Sequence, residues 1–427
     1  MNKQNKIRKS LKISFLEGVF SSCMSGLTND YITPYALALK ATTRQIGALA
    51  SLPFFAASLT QFKPADITEK LKSRKKVISI FALLHAIMLL PIMLTPYWFN
   101  KEPVLFLIIF VTIYTGFSAL TNPVMSALLS EYIPHRMRGK YFGWRTKIMS
   151  IIVIGCSLTS GFILQLFKNQ VLKGFLIIFS LALISRLISW YFLNHMYEPK
   201  LRVKEESYFS FIDFVKGIKK SNFGRFVLFV SGLQFCVNLA APFFPVFMLK
   251  DLKFNYITYT VITSTVMAVQ ILTIGRWGRI ADKVGNIRVL KFTALLISSL
   301  PLWWLVSHNP VYLLFAQAVS GFAWAGFNLC TSTFIYDAVT SQKRIRCIGY
   351  LSVFVGMAVF LGGIIGGQLA NILPNIFGYR ILTLFLIASI LRFSMVFFLS
   401  GKIKEVRETQ AMNTKDMVFS VIGIKPV

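Results

Sequence analysis

Four ionisable residues stand inside long apolar runs, where any chemistry of this chain would have to start. Glu17 and Asp30 lie in the run from 12 to 37, Arg186 in that from 173 to 195, and Arg392 in that from 380 to 400. A charged side chain at the middle of a membrane helix costs roughly 2.5–3.5 kcal/mol on insertion scales, so each needs a partner or a task. Asp30, beside Asn29 and close to Pro34, lies past the middle of its run. An acid there can face a wet cavity as a protonatable coupling or substrate-binding group, or it can be hydrogen-bonded to neighbouring helices for packing. Glu17 and Arg186 sit at compatible depths, which suggests an intramembrane ion pair. Arg392 has no acid at hand, so its guanidinium is expected to snorkel toward the near membrane face.

A second set of residues is polar but uncharged: Asn122, Gln234, Asn238, Gln270 and Asn328, with Trp324 close by. Gln234 and Asn238 are one helical turn apart and share a face. Ligand contact and interhelical hydrogen bonding explain such residues about equally well.

A third set lies where apolar runs end. Asp66, Glu131, Asp282 and Asp337 stand near Arg74, Arg138, Arg288 and Arg346. An acid at a helix end can accept charge-assisted hydrogen bonds from arginine or from helix amides, and such contacts can latch one face of a protein shut. Glu131 is expected to pair with Arg138, and Asp337 with Arg346. The alternative is surface ion pairs worth about 0–1 kcal/mol each.

The elements that must hold these residues follow from composition. Of 427 residues, 55% are hydrophobic and only 15% charged. A window of about 19 residues finds twelve apolar runs able to cross roughly 30 Å of hydrocarbon. They span approximately 12–37, 45–62, 77–98, 103–130, 147–167, 173–195, 224–249, 256–275, 289–307, 310–336, 349–370 and 380–400. Continuous runs of this length predict helices, since membrane strands are shorter and alternate. The fold class expected is an all-α membrane protein. No cleavable leader is expected, because the basic start leads into a full-length run without a small-residue cleavage site.

The net charge of +30 raises the question of nucleic acid. Of the 46 Lys and Arg, 36 fall in alternate connections, the termini and the run ends beside them, 8 in the other connections and their run ends, and two, Arg186 and Arg392, deep inside apolar runs. That alternation is the positive-inside pattern, and it places both termini in the cytoplasm of a cell membrane with no nucleic-acid partner. Cys23, Cys156, Cys236, Cys330 and Cys347 are scattered singly, and His85, His135, His195 and His308 do not cluster, so neither metal nor cofactor is expected. Nucleotide-binding loops and hydrolase motifs are absent, which argues against an ATP-driven pump or an enzyme.

The polar stretch 197–222 divides the runs six and six, predicting bundles at 1–196 and 223–401, a linker between them and a cytoplasmic tail at 402–427. The halves carry matching marks. Asn122 precedes Glu131 as Asn328 precedes Asp337, and Arg186 and Arg392 recur in the sixth and twelfth runs. Pro34, Pro242 and Pro245 are expected to kink the first and seventh runs. Gly362, Gly363, Gly366 and Gly367 suit close helix packing in the eleventh.

The connection Gly278-Arg279-Ile280-Ala281-Asp282-Lys283-Val284-Gly285, ending in Arg288, resembles the loop signature of the major facilitator superfamily. Its counterpart around Asp66 and Arg74 keeps the acid and the bases without the glycines. The stretch from Arg138 to Arg145 also resembles members of that superfamily. The resemblance implies twelve helices in two pseudo-symmetric six-helix bundles, runs 1, 4, 7 and 10 lining a cavity, and a monomeric secondary transporter of a small solute working by alternating access. A proton or solute gradient is the expected driving force and the lipid bilayer the surrounding. An efflux carrier for amphipathic compounds and a non-transporting receptor on the same fold are the alternatives.

Overall fold

An apolar segment in hydrocarbon has no water to bond its amides and must close its hydrogen bonds within itself, which a helix does. The computed structural model describes residues 3–60, 71–134, 137–199, 211–340, 343–410 and 412–423. These residues are helical almost throughout, and their β structure is one isolated bridge between Ile376 and Tyr379. The main helices are α1 (Lys3–Thr28), α2 (Ile32–Ala38), α3 (Thr43–Thr60), α4 (Arg74–Ile87), α5 (Leu89–Trp98), α6 (Pro103–Tyr132), α7 (Arg138–Leu166) and α8 (Val171–Asn194). After the short α9 (Phe211–Gly217) come α10 (Asn222–Asn238), α11 (Tyr256–Val284), α12 (Asn286–Val306), α13 (Pro310–Ala338), α14 (Arg344–Ile372), α15 (Arg380–Leu399) and α16 (Thr414–Ile422).

Local chemistry sets several starts. Ser73 accepts from the Lys76 amide at 3.1 Å to cap α4, and Ser221 accepts from Gly224 at 2.9 Å to cap α10. Asn309 caps α13 by accepting from Val311 at 2.9 Å, with Pro310 next to it. Side-chain oxygens at these positions satisfy amides that have no partner inside the helix.

Among the described residues, ten helices are long and apolar enough to cross a membrane, and they match the third to twelfth expected runs. The first run is interrupted: α1 ends at Thr28 and α2 starts at Ile32, with Asn29, Asp30 and Tyr31 in the break. The second is α3, whose expected end and the Asp66 connection lie outside the described residues. Apolar side chains face outward as well as inward, with Phe397 81% and Leu272 69% exposed, as hydrocarbon surroundings permit.

The chain folds as two units, Met1–Lys204 with Met248–Thr260, and Glu205–Phe247 with Val261–Val427. In the first, α1 packs along α8 and α7, and α6 along α3 and α4. In the second, α10 packs along α14 and α15, and α12 along α13 and α15. Gly362 and Gly366 let α14 close on α10, where an added Cβ would strike the carbonyls of Phe235 and Leu239. After Asn238 the helix distorts around Pro242 and Pro245 through a 3-10 turn at Ala241–Phe243 and a π turn at Phe247–Asp251.

Candidate functional site

The break between α1 and α2 exposes main-chain groups that side chains then take up. Asp30 sits there half-buried. Ser157 of α7 donates to its carboxylate at 3.1 Å, and Tyr259 donates to its backbone carbonyl at 2.7 Å. Tyr31, fully buried, donates to the Ser157 carbonyl at 2.5 Å and lies 2.7 Å from the Thr260 hydroxyl. Thr260 in turn donates to the Tyr256 carbonyl at 2.7 Å. Gly161 leaves room for Thr260, since a Cβ there would overlap its hydroxyl. The segment 248–260, which follows α10 in the chain, is thereby held within the first unit. None of the ion pairs among the described residues includes Asp30. Asn29 beside it is exposed.

Glu17 has the opposite environment. It is 5% exposed, 3.9 Å from Arg186 on α8 and 3.5 Å from Arg145 on α7. Ser189 donates to it at 3.2 Å, and Arg186 donates to Ser21 and Ser189 at 3.2 Å each. The expected partners are thus brought together, with Arg145 as a second cation. His85 stacks on Tyr114 nearby, ring centroids 3.9 Å apart. Two guanidinium groups hold this carboxylate in place, and the seat it forms is a packing element between α1, α7 and α8.

Arg392 does not snorkel. It is 3% exposed and donates to the carbonyls of Cys236 at 3.4 Å, Val237 at 3.1 Å and Ile297 at 3.1 Å. The distortion that follows α10 and the packing of α15 across α10 and α12 bring carbonyls within its reach. Both intramembrane arginines therefore dock on the first long helix of their own unit, one through an acid and one through the main chain.

At the ends bearing the basic connections, the acids find partners other than those expected. Glu131 is ion-paired with Arg74, at the start of α4, while Arg138 donates to the Ile133 carbonyl at 3.2 Å. Arg138 follows a bend in the chain and is turned to cap the end of α6, which leaves Glu131 to the neighbouring helix. Asp337 is taken by Arg407 of the tail in two-pronged geometry, 2.7 Å from Nε and 3.0 Å from Nη2, and Asn286 donates to it at 2.7 Å. Arg407 also reaches Asp282 at 2.9 Å. The Asp337 hydrogen bond first, then Asp282, holds the Arg407 guanidinium above its ordinary range. Glu405 accepts from the Ile287 amide at 2.7 Å and so caps α12 beside Gly285, whose φ of +91° excludes most side chains. The described residues of 402–423 form a strap across the second unit. Its α16 buries Met417 and Val421, and Arg276 donates to the carbonyl of Ile422 at 2.7 Å. Arg288 is exposed beside this strap, Gly278 is half-buried against Leu329, and Arg346 is half-buried on α14.

The uncharged polar set is dispersed within each unit. Asn122 is exposed and 3.5 Å from Ser118, and Asn238 donates to the Gln234 carbonyl at 2.8 Å. Gln270 is half-buried and Asn328 exposed. Trp324 lines a cavity with Gln317 and Arg392. Sequence reasoning missed Tyr31, Ser157, Tyr259, Thr260, Arg145, Glu405 and Arg407. A tyrosine pair at the ends of two apolar runs was the one local signal available.

The family model of the Major Facilitator Superfamily matches residues 15–238 and 226–419. The chain belongs to that superfamily. Solved structures agree with this major facilitator fold at low identity. The nucleoside transporter NupG has a TM-score of 0.70 at 17% identity, covering 95% of this chain and 100% of that one. A bacterial homologue of the iron transporter ferroportin, inward-facing, has 0.69 at 13%, covering 93% and 100%. A D-xylose–proton symporter has 0.69 at 14%, covering 93% and 98%. No curated protein matches this major facilitator sequence. The protein is therefore a multi-pass membrane protein with the fold of secondary transporters.

Proposed function

We propose that this major facilitator protein is a secondary active transporter that carries a small solute by alternating access, with Asp30 as its proton-coupling or substrate-binding acid. The observation that carries the reading is the contrast between its two membrane acids. Glu17 lies between two arginines, whereas Asp30 has one hydroxyl on its carboxylate and, among the described residues, no cation. A carboxyl without a neighbouring cation can take up and release a proton as its surroundings dry and wet, whereas guanidinium groups beside a carboxylate favour its charged form. Asp30 also sits at the break in the first membrane helix, the kind of place where transporter folds bring main-chain and acidic groups to a ligand. The same residue touches the anchoring of segment 248–260, so its protonation and the release of that segment are coupled through Ser157 and Tyr31.

Basic residues in alternate connections support a cytoplasmic location for both termini, in the cell membrane. A D-xylose–proton symporter, a nucleoside transporter and a bacterial homologue of an iron transporter among the structural neighbours are compatible with several solute classes. The test is uptake into proteoliposomes of a panel of sugars, nucleosides, amino acids and small acids, with and without an inward pH gradient. Gradient-driven accumulation of at least one solute is expected. Absence of uptake for the whole panel, in protein that remains folded, would count against transport.

A further inference from the structure

Arg392 is a buried cation with no counter-charge among the described residues. Its three hydrogen bonds go to neutral carbonyls, and none of the ion pairs among the described residues includes it. Arg186, in the matching place of the first unit, has Glu17. Main-chain carbonyls satisfy N–H groups but cancel little of a full charge, and a buried charge without compensation is strongly disfavoured. A guanidinium also has more N–H groups than these bonds use.

The same side chain forms part of the wall of a cavity of about 140 Å³ inside the second unit. Trp304, Trp324, Gln317 and Ser320 are on that wall, and Arg392 is the only formal charge among its lining residues. Indole, amide and hydroxyl groups donate hydrogen bonds without adding charge. The wall therefore offers one positive charge, several neutral donors and no carboxylate.

We propose that this cavity binds a small monovalent anion, a halide or a small carboxylate, on Arg392. The single charge matches a monovalent ion. The volume is well under the roughly 300–1,000 Å³ of pockets for drug-sized ligands. That volume suits one such ion with a few waters and is small for a sugar or nucleoside. The site is thus separate from a solute site at Asp30, and it ties α10, α12, α13 and α15 together by neutralising the cation at their junction.

The test is thermal unfolding of the purified full-length protein in potassium chloride, bromide, acetate and gluconate at equal ionic strength. The midpoint should rise by about 2–5 °C with chloride, bromide or acetate relative to gluconate. That dependence should vanish in Arg392→Met and persist in Arg392→Lys. A response confined to chloride and bromide assigns a halide, one confined to acetate assigns a carboxylate, and either upholds the site. Equal midpoints in all four salts, or an unchanged anion response in Arg392→Met, overturn it. Because Arg392→Met removes a buried side chain and can fail to fold, wild-type crystals soaked in bromide provide a second reading. An anomalous peak beside the guanidinium supports the proposal, and bromide peaks only elsewhere, together with no shift of the midpoint in acetate, overturn it.

Discussion

Tyr259 donates its hydroxyl to the backbone carbonyl of Asp30 across 2.7 Å, joining the break in the first membrane helix to a helix start 229 residues further along the chain. A neutral hydrogen bond of this kind contributes about 0.5–1.5 kcal/mol. Tyr259→Phe should therefore raise the population with 256–260 released by roughly two- to tenfold. Hydrogen–deuterium exchange over those residues measures it. Gly161→Val should act more strongly, because its side chain displaces Thr260 itself. Unchanged exchange in both variants would show that these contacts do not hold the segment.

The Glu17 seat makes a stability prediction. Leaving a buried charge without its partner costs about 3–5 kcal/mol, so Glu17→Gln, which strands two arginines, should unfold at lower denaturant than any single arginine variant. Arg145→Gln should be milder than Arg186→Met, because the Arg145 side chain is 18% exposed and that of Arg186 only 5%. The double variant Glu17→Gln with Arg186→Met should lose less than the sum of the two singles. Additive losses would mean that the two side chains do not interact.

The tail strap predicts an order among acids. Asp337 is mostly buried and held by two prongs of Arg407, whereas the Asp282 side chain is 75% exposed. Asp337→Asn should cost about 1–3 kcal/mol and Asp282→Asn about 0–1. Trypsin cleavage between Lys402 and Lys415 should quicken in Arg407→Ala and in Gly285→Ala, where a Cβ would come within 2.5 Å of Glu405. Cleavage at the wild-type rate in both would show that the strap is held by other contacts.

Much of this architecture was legible in the chain because it is local. Apolar length marks the helices from the third run onward, and the nine-residue spacings from Asn122 to Glu131 and from Asn328 to Asp337 fall at matching ends of α6 and α13. The matching acids at the ends of α6 and α13 do meet the starts of α4 and α12, through Arg74 and Asn286. Depth alone was enough to bring Glu17 and Arg186 together. What was hidden depends on contacts between residues far apart in the chain. Arg407 joins Asp282 from 125 positions away, and nothing in the polar stretch after 402 distinguishes a strap from a solvated tail. The nearest bases, Arg138 and Arg346, are the natural partners by sequence for Glu131 and Asp337, but helix direction decides which cation arrives. Snorkelling misplaces Arg392 because it assumes lipid around a side chain that is instead surrounded by α10 and α12. Tyr31, Ser157 and Thr260 are common residues in apolar helices, and only their convergence on the break at Asp30 singles them out.

The most direct test of the coupling role of Asp30 compares wild type with Asp30→Asn in proteoliposomes, measuring both pH-gradient-driven uptake of the identified solute and its exchange at equal pH on the two sides. Asp30→Asn should lose accumulation driven by the gradient while retaining exchange. Gradient-driven uptake at the wild-type level in Asp30→Asn would contradict it.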